Sequence, residues 1–198
     1  MKPGPGKLIG ALGLHYLAYI LMQSLALFAE TRRGPTLPDL ILDQFPAQRH
    51  WDFFNSTIWL PLLLLCIGLL LFLRPHSALA YLRVGAAVSV LRGLCIVLTS
   101  LGPPAGLRAA SPEAFLDFGP EKLSFALFLR QWLPLDVFWG GSGLSAAYLT
   151  QDLFFSGHTA STFLLLLCLP GKDRLFWPFL IYHILSVFFI IYTHEHYS

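Results

Sequence analysis

Residues 60–73 read LPLLLLCIGLLLFL, an apolar run without a charged side chain and without alternation of apolar and polar positions. A strand of a membrane barrel alternates between lipid-facing and lumen-facing residues, so this run predicts a helix instead. Extended back to residue 54, it reaches the roughly 20 residues that a helix needs to cross a hydrocarbon core. The segment therefore predicts a transmembrane helix and an all-α fold.

The composition of the whole chain points the same way. Of its 198 residues, 56% are hydrophobic and only 12% are charged, which is about half the charged fraction of a soluble domain. This composition excludes a water-soluble enzyme. The net charge of +2 is too small to indicate a basic surface that binds nucleic acid. Cys66, Cys95 and Cys168 lie in apolar runs without metal-ligand spacing, which predicts small buried side chains and no disulfide or zinc site.

The chain contains further long apolar runs, and these predict a polytopic transmembrane helical bundle. We expect a single membrane domain over residues 1–198 in which two long loops, 30–53 and 102–152, face the external or lumenal side. Residues 123–129 and 132–139 are apolar but too short to span, so they predict interfacial helices in the second loop, with Trp132 in an aromatic belt. The five predicted spans cover roughly residues 8–29, 54–73, 78–101, 153–169 and 175–193.

The charges are distributed unevenly between the short and the long connections. Nine of the eleven acidic residues fall in the two long segments, Glu195 follows the fifth span on the same side, and the exception is Asp173. Short cytoplasmic loops of membrane proteins carry an excess of Lys and Arg, so this pattern predicts a cytoplasmic N-terminus. The basic residues of the short pieces are Lys2, Lys7, Arg74, Lys172 and Arg174.

Arg92 lies about 14 residues into the third predicted span, where an arginine costs on the order of 2.5 to 3.5 kcal/mol on insertion scales. Thr99, seven residues later, lies on the same helix face. Two interpretations remain open at this point. Arg92 is either a paired arginine that holds helices together, or a phosphate-binding arginine at the base of an outward-facing cavity.

Two histidines are predicted at the same membrane face. His158 lies at the outer entrance of the fourth span and His196 follows the fifth, and a tight turn joins these antiparallel spans. A pair of imidazoles can flank one phosphodiester, one attacking phosphorus while the other protonates the departing oxygen. A metal held by His194 and His196 lacks a convincing third ligand. The remaining histidines are predicted to be solvated surface residues, and they are His15, His50, His76 and His183.

The motif Asp152-x3-Ser156-Gly157-His158-Thr159, followed by His196-Tyr197-Ser198, resembles the two catalytic motifs of the sphingomyelin synthase family. That family belongs to the type 2 phosphatidic acid phosphatase superfamily of lipid phosphatases. Residues 37–39, which read Leu-Pro-Asp, resemble another family motif, with Thr36 in place of a proline. Arg92 and Thr99 resemble the end of the arginine-rich motif in the third helix of the family.

The resemblance implies a six-span enzyme that transfers phosphocholine or phosphoethanolamine from a glycerophospholipid to ceramide or diacylglycerol, without a metal or other cofactor. It implies that His196 is a nucleophile forming a phosphohistidine and that His158 is the acid and base. It also implies a catalytic aspartate at position 200, so we expect the chain to continue past Ser198 into a sixth span. The other expected site residues are Arg92, Ser156 and Asp152 at the substrate phosphate, with Asp39, Thr99, Gly157 and Tyr197 in support.

The sequence departs from the family pattern in ways that leave alternatives open. Thr150 and Gln151 replace a cysteine and a glycine, and Ile190 stands where related phosphatases carry an arginine six residues before the nucleophile. The second difference favours a transferase over a phosphatase. A hydrolase that uses water as the acceptor, and a non-catalytic membrane protein that keeps only the fold, are the alternatives.

Overall fold

The structure is a computed structural model that describes residues 3–31, 54–99, 124–133, 156–171 and 173–193. Within these ranges the chain is helical and contains no strand, which confirms the all-α prediction for the part that is described. A short π-helical turn at Phe54–Ile58 leads directly into α2. The α-helices of the described ranges are α1 (Pro5–Glu30), α2 (Trp59–Leu73), α3 (Pro75–Thr99), α4 (Phe125–Trp132), α5 (Gly157–Leu167) and α6 (Phe176–Thr193).

Contacts between the long helices define their relative directions. His15 and Met22 of α1 approach Gly85 and Gly93 of α3 in the same order, so these two helices are parallel. Two further pairs, Gly85 with Leu164 and Arg92 with Gly157, show that α3 and α5 are antiparallel. As a result, α1 and α3 end where α5 begins.

The α2 and α6 helices complete the same arrangement. Phe54 stacks on Phe189, while Trp59 accepts a hydrogen bond from Tyr182, so α2 and α6 are antiparallel. We call the end of the bundle where α2 and α5 begin the site end, and the opposite end the turn end. Since α6 follows α5 after a short turn, it finishes at the site end, three residues before His196.

Two glycines allow α1 and α3 to pack closely. A Cβ atom on Gly93 would lie 3.1 Å from the backbone Cα of Met22, and one on Gly85 would lie 2.6 Å from Cε1 of His15. The His15 ring instead occupies this space, and its Nδ1 lies 3.0 Å from the carbonyl oxygen of Leu82. Small residues at helix crossings permit such close approach in membrane bundles.

The apolar core occupies the turn end of the bundle. Its largest fully buried members are Tyr81 of α3 and Phe179 of α6, and side chains of α2 and α5 pack around them. The other buried residues of this core are Ala11, Leu63, Cys66, Leu70, Ala78, Leu82, Leu164, Leu165, Leu169 and Tyr182. A smaller buried cluster of Ala26, Ala29 and Ile96 lies nearer the site end.

Much of the outer surface of the helices is apolar. Phe72 and Leu98 are 84% and 83% exposed, a situation that costs little only when lipid covers the surface. Among the residues that the structure describes, three helices are long and apolar enough to cross a membrane, namely Pro5–Ala29, Pro75–Thr99 and Phe176–Thr193, while α2 and α5 are shorter apolar helices. These features are those of an integral membrane protein.

A helix forms within the second long loop and is fixed to α1. The indole nitrogen of Trp132 in α4 donates to the hydroxyl oxygen of Ser24 at 3.0 Å. The hydroxyl of Tyr16 donates to the carbonyl oxygen of Trp132 at 2.9 Å. Trp132 therefore joins α4 to the first helix.

An ion pair connects the two tight turns at the turn end. Nε of Arg74, between α2 and α3, donates to Oδ2 of Asp173, between α5 and α6. The other carboxylate oxygen accepts from the backbone N–H of Leu175 at 2.9 Å. The hydrogen bond from Arg74, followed by that from Leu175, lowers the pKa of Asp173 below its ordinary value, because both bonds favour the charged form.

We expect Asp173→Ala to lower the free energy of unfolding by about 2 kcal/mol, since it removes the ion pair and a hydrogen bond to the start of α6. The lowered pKa means that this stabilisation is present at neutral pH and disappears as the pH falls below about 4. Thermal unfolding in detergent at pH 7 and at acidic pH measures both effects. Arg174→Ala, at an exposed neighbour, is the matched control and should change stability little; equal losses in the two variants would contradict the assignment.

Candidate functional site

The Ser156-Gly157-His158 motif forms the first turn of α5. Ser156 is the N-cap residue, and its hydroxyl oxygen accepts a hydrogen bond from the backbone N–H of Thr159 at 3.3 Å. Serine is favoured there because its side chain satisfies a backbone donor that the helix leaves without an intrahelical acceptor. The cap therefore fixes the turn that carries His158.

The guanidinium group of Arg92 lies directly against Gly157. A Cβ atom on Gly157 would be 2.6 Å from Cζ of Arg92 and 3.0 Å from Nη2, which is closer than real Cβ atoms approach such groups. Only glycine therefore leaves room for the guanidinium in this position. The structure brings Arg92, which is 65 residues away in the sequence, into contact with the motif at the start of α5.

Helix α1 supplies the surroundings of Arg92. Nη1 of Arg92 donates to Sδ of Met22 at 3.3 Å, and thioether sulfur is only a weak acceptor. Tyr19 interacts electrostatically with Arg92 and forms a hydrogen bond with Gln23. The side-chain oxygen of Gln23 is buried without a hydrogen-bond partner. Sequence reasoning assigned no role to these α1 residues.

His158 packs against Trp59 at the first residue of α2. The centroids of the two rings are 4.0 Å apart, and the ring planes are inclined by 58°. The carbonyl oxygen of Trp59 accepts a hydrogen bond from the Tyr182 hydroxyl at 2.7 Å, so α6 holds the start of α2 in place. Sequence reasoning missed Trp59, although the alternation of spans already placed it at the same membrane face as His158.

A second histidine, His183 of α6, contacts the same turn of α5 through Thr162. Nδ1 of His183 lies 2.9 Å from the hydroxyl oxygen of Thr162, which donates to the carbonyl oxygen of His158 at 2.9 Å. The prediction that His15 and His183 are solvated surface residues was wrong. Both lie within the helix packing and are bonded to a neighbouring helix, because each faces a partner helix and not the loop side of the membrane. His76 is exposed.

The remaining predicted site residues fall into two groups. Thr99, at the end of α3, donates its hydroxyl to the carbonyl oxygen of Cys95 at 2.9 Å, a bond within its own helix. The others lie outside the described residues, and they are Asp39, Asp152, His196 and Tyr197. No group of three metal-ligating residues occurs in the described ranges.

The chemistry of this arrangement suits a phosphate ester. A guanidinium group, the first backbone amides of a helix and a histidine side chain are groups that bind phosphoryl oxygens or exchange protons with them. Arg92, Gly157 and His158 are all half-buried. Arg92 is seven residues from the end of α3, or roughly 10 Å of helix rise. The site therefore lies below the end of the bundle.

Comparison with known proteins agrees with the resemblance seen in the motifs. The chain is 28% identical over 174 residues to sphingomyelin synthase-related protein 1 of Homo sapiens, covering 83% of this chain and 39% of that protein. The protein of the same name from Mus musculus is also 28% identical over 174 residues, with 34% of its length covered. The chain thus spans well under half the length of these relatives. No family model matches the sequence.

Proposed function

We propose that this membrane protein is a lipid headgroup transferase that moves phosphocholine or phosphoethanolamine from a glycerophospholipid to ceramide or diacylglycerol. The observation that carries the proposal is the contact of the Arg92 guanidinium with Gly157, next to His158. An arginine whose role is only to join helices would not require a glycine in the first turn of α5, next to His158. The similarity to sphingomyelin synthase-related protein 1 supports the same class of substrate.

In the first step, a ring nitrogen of His196 attacks phosphorus of the donor lipid. The bond between phosphorus and the glycerol oxygen breaks, and protonated His158 gives its proton to that oxygen, which leaves as the hydroxyl of diacylglycerol. The headgroup phosphate is then held on His196. Arg92 stabilises the charge that develops on the other phosphoryl oxygens.

In the second step, neutral His158 takes the proton of the acceptor's primary hydroxyl. The acceptor oxygen attacks phosphorus, the bond between phosphorus and nitrogen breaks, and His196 is restored. His158 ends the cycle protonated, as it began, so protons and phosphate balance. The half-buried position of Arg92 and His158 limits the water that competes with the acceptor.

Conversion of a fluorescent short-chain ceramide in membranes that contain the protein tests this proposal. We expect a fluorescent phospholipid that carries the headgroup of the donor, and we expect neither His158→Ala nor His196→Ala to form it. Membranes that contain His76→Ala, altered at an exposed histidine outside the site, provide the control. An unchanged ceramide in the presence of the wild-type protein would contradict the proposal.

Gly157→Ala tests the contact between Arg92 and α5. We expect it to lower transfer by about 10- to 100-fold, because the new methyl group displaces the guanidinium and small misplacements are costly in catalysis. The fold should persist, since the neighbouring atoms belong to the end of a flexible side chain. Gly68→Ala is the matched control, as a Cβ there meets nothing within 4 Å. Full transfer by Gly157→Ala would show that the position of Arg92 is unimportant.

A further inference from the structure

The indole N–H of Trp59 is the feature of the site that the proposed reaction does not use. Its nitrogen is buried and has no hydrogen-bond partner, and the side-chain oxygen of Gln23 is the other such atom among the residues that the structure describes. A buried donor without an acceptor is unfavourable, so an orphaned N–H in a folded protein calls for an explanation. Tryptophan at a membrane interface ordinarily points its N–H toward water or headgroups, but here solvent does not reach the nitrogen.

The backbone of Trp59 is fixed from outside the site. Its carbonyl oxygen accepts from the Tyr182 hydroxyl at 2.7 Å, which holds the first residue of α2 against α6. The indole ring packs against His158 with a centroid distance of 4.0 Å. The indole ring that carries the unpartnered donor is therefore held against the imidazole and does not rotate freely at the surface.

The place of the N–H limits what it can bind. The glycerol oxygen that receives a proton from His158 must lie within about 3 Å of an imidazole nitrogen. The phosphoryl oxygens on the same phosphorus are then expected close to the Trp59 indole, which packs against this imidazole. A neutral indole N–H donates and cannot accept, which fits an anionic phosphoryl oxygen.

We propose that the indole N–H of Trp59 donates a hydrogen bond to a phosphoryl oxygen of the bound lipid and is a substrate-binding group of the site. This inference rests on the proposed headgroup transfer and adds a residue to it. Trp59 and Arg92 then bind the phosphoryl group from two helices, α2 and α3, while α5 contributes His158. The orphaned donor is satisfied only in the complex, so its interaction favours the bound lipid over the empty site.

Two replacements of Trp59 test this role. Trp59→Phe keeps an aromatic ring against His158 and removes the N–H. Replacement of Trp59 by benzothienylalanine keeps the shape of the indole and substitutes sulfur for the N–H. We expect each to lower kcat/KM for transfer by roughly 10- to 100-fold, the effect of losing one hydrogen bond to a charged group. Neither should lower the thermal stability of the lipid-free protein, because the lost N–H has no partner there. Trp177→Phe, at a residue 67% exposed on α6, is the control and should leave transfer unchanged.

A binding measurement separates this inference from the proposed reaction. The probe is a short-chain phosphatidylcholine analogue in which methylene replaces the bridging glycerol oxygen, so that its headgroup cannot be transferred. We expect it to raise the melting temperature of the wild-type protein and to bind both Trp59 variants about tenfold or more weakly. If the Trp59 variants bind the probe more weakly than the wild type but the wild type transfers no headgroup, the role of Trp59 stands and the proposed reaction is overturned. Equal probe binding by the variants and the wild type, or a loss of activity that follows a loss of stability, would overturn the role of Trp59.

Discussion

His158→Ala is expected to reduce headgroup transfer by about 10²- to 10⁴-fold, the contribution of a positioned general acid and base. Both proposed steps need this histidine, since it protonates the departing oxygen and then deprotonates the acceptor. The variant should fold, because the bonds that hold this turn of α5 involve the carbonyl oxygen of His158 and the side chains of Ser156 and Thr162. Initial rates of transfer in detergent, together with melting temperatures, measure the two effects separately.

A donor with a better leaving group makes the test of His158 more specific. Nitrophenyl phosphocholine releases nitrophenolate, which leaves without a proton. We expect His158→Ala to release a burst of about one nitrophenolate per protein and then stop, because the second step still lacks a base. The burst should disappear in His196→Ala. If His158→Ala turned over a natural donor at more than about a tenth of the wild-type rate, the role of His158 would be wrong.

Arg92→Leu is expected to lower transfer by about 10²- to 10³-fold or more, since it removes the cation that contacts Gly157. Arg92→Lys should keep part of the activity, because lysine retains the charge but loses the two-pronged geometry that matches phosphoryl oxygens. Kinetics of both variants with the same donor and acceptor provide the measurement. Arg83→Leu, at an exposed residue of the same helix, is the matched control.

Stability distinguishes the two interpretations of Arg92. An arginine that holds helices together predicts a lower melting temperature for Arg92→Leu, in step with any loss of activity. A phosphate-binding arginine predicts little change or a gain, since replacing a half-buried charge by an apolar side chain removes the cost of keeping that charge away from water. Arg92→Leu with wild-type transfer and a lower melting temperature would return Arg92 to a structural role.

The helices of this bundle were predictable from the sequence because apolar length dominates the choice of structure in a membrane. Each of the five predicted spans contains a helix, and the boundary between α2 and α3 lies at Arg74-Pro75, where the apolar run is interrupted. Pro75 begins α3 directly after Arg74, as expected for a residue that lacks a backbone N–H. The positions of the helices could be predicted because they depend only on local sequence.

The surroundings of the site were less predictable because they depend on which helices are neighbours. Arg92 attracts attention in the sequence as a charge within a span, but its contact with Gly157 requires α3 to pack against α5. Trp59 looks like an ordinary interfacial tryptophan until the structure places its ring against His158. The error on His15 and His183 has the same origin, since a polar residue within a helix shows no sign of the partner helix that buries it.

The fate of a labelled headgroup tests the central claim most directly. Purified protein is reconstituted into vesicles that contain ceramide and a glycerophospholipid labelled in its phosphate, and the label is followed in the lipid and aqueous phases. Headgroup transfer predicts that the label moves to ceramide, that an equal amount of diacylglycerol appears, and that His158→Ala vesicles show neither product. Label released into water would identify a hydrolase instead, and label that stays on the donor would contradict the account.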